Sequence, residues 1–191
     1  MEKVKAFCKR KNIEISVKRY LIDALGAMAQ GLFASLLIGT IISTLGTQLN
    51  IPILVTVGTY AKAAVGPAMA IAIGYALQAA PLVLFSLAAV GAAANELGGA
   101  GGPLAVLVVA IFAAEFGKAV SKETKIDIIV TPFVTIFVGV ALSIWWAPAI
   151  GAAASAVGNA IMWATELPDN KERGKNISAT QQQDNYDKGN I

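Results

Sequence analysis

Lys62, Glu96, Glu115, Lys118 and Asp127 lie within or at the edge of long apolar runs, where an ionisable side chain must be paired, reach water or take part in function. Glu115 and Lys118 are three positions apart, a step that puts both on one helix face. They can neutralise each other near a membrane boundary, with Lys118 snorkelling, or contact a polar solute. Asn95 and Glu96 precede the run Gly98-Gly99-Ala100-Gly101-Gly102-Pro103. A broken helix there would turn an amide and a carboxylate toward a cavity; the alternative is an interfacial loop carboxylate. Lys62 has no opposite charge in its own segment, so it faces water or pairs across helices. Asp127 suits the start of a helix, where a carboxylate complements the positive end of the dipole.

These residues could bind a polar solute, but they do not form a catalytic set. The chain contains no His, which removes the commonest acid/base and metal ligand, and Cys8 is its only thiol. The glycine run lacks the Lys and Ser/Thr of a phosphate-binding loop. We therefore expect no catalytic residue, no metal and no cofactor. The basic N-terminus has no supporting fold for nucleic-acid binding.

The elements that must position these side chains are membrane helices. Of 191 residues, 56% are hydrophobic and 14% charged, well below the roughly 25% charge of a soluble domain. Residues 1–19 carry seven cations against Glu2 and Glu14, a basic segment expected on the cytoplasmic side. A first span is predicted from Tyr20 to Leu45, with Ala27, Gly31, Ser35, Gly39 and Ser43 as a small-residue stripe on which a neighbouring helix can pack. The next run is interrupted near Gly66-Pro67, giving a short piece over Pro52–Val65 and a helix from Pro67 to Leu77. A segment of about 14 residues from Pro81 is short for a full span. Further spans are predicted over Leu104–Val120, Ile126–Trp146 and Ala149–Ala164, with Pro148 ending the second of them and Gly151, Ser155 and Asn159 sharing a face of the third. If residues 1–19 and the Lys122 loop share a side, the intervening segments make four crossings, and two more return the C-terminus to the cytoplasm. The expected fold is all-α: a multi-span transmembrane bundle with broken or re-entrant segments over 20–165, and a polar, disordered cytoplasmic tail over 166–191.

Four phrases carry a family resemblance: Lys9-Arg10-Lys11-Asn12-Ile13-Glu14-Ile15, Lys18-Arg19-Tyr20-Leu21-Ile22-Asp23-Ala24-Leu25, Ala114-Glu115-Phe116-Gly117-Lys118, and Ser121-Lys122-Glu123-Thr124-Lys125-Ile126-Asp127-Ile128-Ile129-Val130-Thr131-Pro132. Together they resemble the membrane subunit IIC of a sugar phosphotransferase system, in the branch that includes toxin-regulator-like membrane proteins. The resemblance covers about residues 1–167. It implies a multi-pass protein of the bacterial cell membrane that moves a sugar while cytoplasmic phosphotransferase subunits supply the phosphoryl group. Family members continue into a second hydrophobic half, so the resemblance implies the N-terminal half of such a permease. The Gly-Ile-Thr-Glu type motif of other IIC branches is absent. Asn95, Glu96, Glu115, Lys118 and Lys62 are the candidate substrate-binding residues, with the bilayer, a sugar, cytoplasmic subunits and further copies of the chain as expected partners. The rival reading is a non-transporting membrane regulator or a small-solute channel.

Overall fold

The computed structural model describes Phe7, Arg10, Lys11, Ile13 and residues 16–123 and 125–188, with side chains as far as Trp163. Most of the basic segment 1–19, including Cys8, and the side chains of the expected tail over 166–191 lie outside the described residues. No strand occurs among those described. The chain divides into two units, Met1–Ala152 and Ala153–Ile191.

In the first unit, helix α1 (Lys18–Gln48) is long and apolar enough to cross a membrane. Two π-helical stretches, Lys18–Asp23 and Phe33–Leu37, lie within it. Helices α2 (Pro52–Ala63) and α3 (Val65–Ala76) follow, bent by 47° at Ala64. This is the predicted broken span. Pro67 sits in the first turn of α3, where its missing N–H has no helical partner to lose. Helix α4 (Pro81–Leu97) opens on its proline, a 3-10 turn covers Gly99–Gly101, and α5 (Gly102–Val120) has Pro103 in its first turn. Helix α6 is assigned from Asp127 to Lys188.

Two helix ends use the same backbone device. Asn50 and Gln78 take φ of 56° and 55°. After α1, Ile51 N donates to Gly46 O at 2.8 Å and Asn50 N to Thr47 O at 3.4 Å. After α3, Ala79 N donates to Gly74 O and Gln78 N to Tyr75 O, each at 2.9 Å. Both are Schellman ends, which satisfy carbonyls that a terminating helix would leave without partners.

Small residues set the packing, as lipid-embedded helices require. A Cβ on Gly31 would lie 2.6 Å from Ala68 O, and one on Gly58 would lie 2.5 Å from Gly39 O. The predicted stripe on α1 therefore faces α2 and α3. Gly66 and Gly91 bring α3 and α4 together so closely that a methyl group on either would overlap the other's carbonyl. Met69, Ile73, Val83, Leu87, Val90, Val106 and Val109 fill the core between α3, α4 and α5.

Helix α6 differs from the sequence reading. It passes through Pro148 without interruption, so the two predicted spans over Ile126–Trp146 and Ala149–Ala164 form one helix. Proline removes a single ladder bond, whereas turning the chain in lipid would expose several backbone groups. Inside the first unit α6 buries Thr131, Thr135, Ser143 and Ala147, together with Gly139 and Gly151. The stripe is spaced by four residues. The Thr135 and Ser143 hydroxyls donate to Thr131 O and Gly139 O at 2.8 Å, so burying them leaves no polar group unsatisfied. A Cβ on Gly117 would meet Thr135 Oγ1 at 2.5 Å, which places α5 against this stripe. The second unit, Ala153–Ile191, is helical through Lys188, and its described side chains are nearly all exposed.

Against the six crossings expected from the sequence, three to four segments among the described residues meet the length and composition of a span. Three helices, α1, α5 and α6 as far as Trp163, are long and apolar enough to span, and the bent pair α2–α3 makes a fourth. At 17 residues α4 is shorter, yet it runs from the Pro81 end to the Gly98 turn, the same two levels that α5 connects in reverse.

Candidate functional site

Chemistry in the first unit concentrates where α3 ends, α4 begins and α5 gives way to the turn at 121–123. The Schellman end of α3 leaves the Leu77 carbonyl free, and two cations from other helices use it. Arg19 of α1 donates to Leu77 O at 2.7 Å, and Lys118 of α5 donates to it at 3.1 Å. Cations at a helix C-terminus are favoured by the dipole as well as by the hydrogen bond.

Lys118 Nζ also stands 2.8 Å from Glu115 Oε1, with the Lys118 side chain 3% and the Glu115 side chain 16% exposed. The pairing expected from the three-residue step is present. It is an ion pair without hydrogen-bond alignment: both Glu115 oxygens are out of contact with solvent and have no hydrogen-bond partner among the described residues. The charge on Glu115 is therefore balanced chiefly by Lys118.

Just outside this pair, the N-terminal segment meets the turn after α5. Arg10 and Lys11 both reach Glu123 Oε1, at 2.8 Å and 2.6 Å, and Lys11 also donates to Ser121 O. The Lys11 hydrogen bond holds the Glu123 carboxyl below its ordinary value of 4.5, with the Arg10 charge adding to the effect and desolvation opposing it. Lys122, at φ 63°, donates its backbone N–H to Asp127 Oδ1 at 2.7 Å, and Asp127 also accepts from Thr131 Oγ1 at 2.5 Å. Asp127 is thus the helix-start residue the sequence predicts. A cavity of about 430 Å³ opens among Arg10, Lys11, Gln78, Lys118, Lys122 and Glu123.

The five sequence-predicted residues do not form one cluster. Glu115 and Lys118 meet at the basic end. Lys62, in the last turn of α2, donates to Ser43 Oγ on α1 at 3.4 Å, a partner across helices. Asn95 flanks the α2–α3 break from α4: a Cβ on Gly66 would lie 2.8 Å from its Cβ, and one on Gly102 would lie 2.7 Å from its Oδ1. Glu96 is exposed beside the glycine turn. Arg10, Lys11, Arg19, Gln78 and Glu123 are not among the residues that the sequence singles out as a site. For Arg10, Lys11 and Glu123 the signal lies in the charged phrases near 10–11 and 121–123, which the fold brings into contact.

The apolar helices and the broken span define an all-α, multi-span helical membrane protein. The family model described as phosphotransferase system, EIIC matches residues 22–168, most of the chain. The chain belongs to that family, and so to the membrane components of phosphotransferase systems. No curated protein and no solved structure matches it.

Proposed function

We propose that this chain forms part of the sugar translocation path of a phosphoenolpyruvate-dependent phosphotransferase system in the bacterial cell membrane, working with cytoplasmic subunits that carry the phosphoryl group. The observation that carries this reading is the broken span α2–α3 inside a chain of the EIIC family. A break at membrane depth presents backbone groups and polar side chains to a solute, the way many transporters build their sites. Lys62 lies ten residues into α2, ~15 Å along its axis, which puts it well below the Pro52 end. Lys62 and Asn95 flank the break and are assigned to solute contact. Glu96 belongs to the mouth at the glycine turn, and Glu115 and Lys118 latch the basic end.

The basic end faces the cytoplasm in this reading, because Arg10, Lys11, Lys118 and Lys122 gather there. Gly151 packs against Gly98, so this part of α6 lies at the glycine-turn end of the first unit, which is the outer end in this reading.

The test is phosphoenolpyruvate-dependent phosphorylation of a sugar panel by membrane vesicles containing this chain, with the soluble phosphotransferase proteins added. Phosphorylation of at least one sugar, lost in Lys62→Met vesicles that retain folded protein, is the expected result. Vesicles in which the folded chain phosphorylates and binds no sugar would favour the regulator or channel reading.

A further inference from the structure

We propose that the cavity at the basic end is a binding site for a phosphomonoester dianion, and that the Glu123 carboxylate is a resident stand-in which such an anion displaces. The cavity, about 430 Å³, is lined among the described residues by Arg10, Lys11, Lys118 and Lys122 against the carboxylate of Glu123. Among the described residues the neighbouring carboxylates are engaged elsewhere: Glu115 balances Lys118, and Asp127 accepts from Lys122 N and Thr131. One oxygen, Glu123 Oε1, receives both Arg10 and Lys11. That atom marks an oxyanion position already built by two cations from a distant part of the chain.

A carboxylate brings one charge and two oxygens to this place. A phosphomonoester brings close to two charges at neutral pH and three acceptor oxygens, and it suits the Arg fork and the Lys point charges better. Glu123 can give way, because its side chain is 40% exposed and it lies on the turn between α5 and α6 rather than on a helix. The volume leaves room for a small organic group on the phosphate. The same chemistry is offered by a soluble phosphorylated compound and by a lipid headgroup ending in a phosphomonoester.

This inference does not need the transport reading, since it concerns equilibrium binding at one end of the bundle. Its test is calorimetric titration of the full chain, in phosphatidylcholine nanodiscs at fixed ionic strength, with glycerol phosphate as the probe. We expect saturable binding that Glu123→Gln strengthens by about three- to tenfold and Lys11→Met weakens by about tenfold, in line with the strength of charge-assisted hydrogen bonds. Arg10→Gln, at a side chain 64% exposed, supplies a weakened variant that should fold even if Lys11→Met does not. Competition by phosphatidic acid placed in the nanodisc would support the site and name the headgroup as its ligand; undiminished binding would support it and name the soluble compound. A contact that merely ties the N-terminus to the turn predicts the opposite sign for Glu123→Gln. Weakened or unchanged binding in that variant, absence of binding in both wild type and variant, or equal occupancy by chloride would overturn the proposal.

Discussion

Replacing Lys118 with methionine should destabilise the fold far more than replacing Lys118 and Glu115 together. Lys118 is 3% exposed; it pairs ionically with Glu115 Oε1 at 2.8 Å and donates to Leu77 O at 3.1 Å. Its loss affects them unequally. Leu77 O keeps the Arg19 hydrogen bond at 2.7 Å, so that part of the change costs about 1 kcal/mol. Glu115 keeps no hydrogen-bond partner among the described residues, and a buried charge stripped of its counter-ion costs about 3–5 kcal/mol. Lys118→Met alone should therefore lose about 4–6 kcal/mol, and the double variant with Glu115→Gln only about 1–2 kcal/mol, once the buried charge is gone. The assay is reversible unfolding in bicelles for wild type, both single variants and the double, read as a double-mutant cycle. Additive losses would refute the reasoning, because they would mean that Glu115 is not balanced by Lys118. Phosphorylation activity of the folded double variant tests the latch assignment separately: retained activity fits a latch, whereas a folded but inactive double variant would place the pair in contact with solute.

Three further outcomes follow from the same geometry. Gly31→Leu, which would drive a side chain into Ala68 and Met69, should lower folded yield in detergent much more than Leu37→Ala at a site 49% exposed; overpacking costs about 1–3 kcal/mol or more, and equal yields would mean the stripe does not face α3. Because Glu123 has a lowered pKa in the folded chain, its bonds to Arg10 and Lys11 contribute stability that is present above the unfolded value of 4.5 and lost as pH falls through the folded value. The stability difference between wild type and Glu123→Gln should accordingly be present at neutral pH and vanish in acid; a constant difference would contradict this. In a Cys8→Ser background, cysteines at Ala100 and Ala152 should label from outside intact cells while one at Lys125 does not, and labelling of Ala100 without Ala152 would restore a return after Pro148.

Much of the fold can be read from local chemistry, because membrane helices record their limits in composition. Pro52, Pro81 and Pro103 each stand in the first turn of a helix, and the α2–α3 break lies just before Gly66-Pro67. The Glu115–Lys118 pair follows from a three-residue step. Pro148 misled because the usual rule for proline reflects competition from water, which a lipid-embedded helix lacks. The stripe from Thr131 through Gly151 runs unbroken past Pro148, so a reading that ends the helix at that proline retains only its last part, at Gly151, Ser155 and Asn159. The basic end was hidden for a different reason. Arg10 and Glu123 are 113 positions apart, and the acceptor that joins Arg19 to Lys118 is a backbone carbonyl, which no side-chain pattern announces.

The central claim is that this chain moves sugar as part of a phosphotransferase system, and uptake tests it most directly. Radiolabelled sugars would be offered to cells in which this chain is the only EIIC-type membrane component, with the soluble phosphotransferase proteins present or deleted. The account predicts accumulation of at least one sugar inside the cell as its phosphate ester, abolished when the soluble proteins are deleted. Accumulation of free sugar independent of those proteins, or no accumulation of any sugar by cells holding the folded chain, would contradict it.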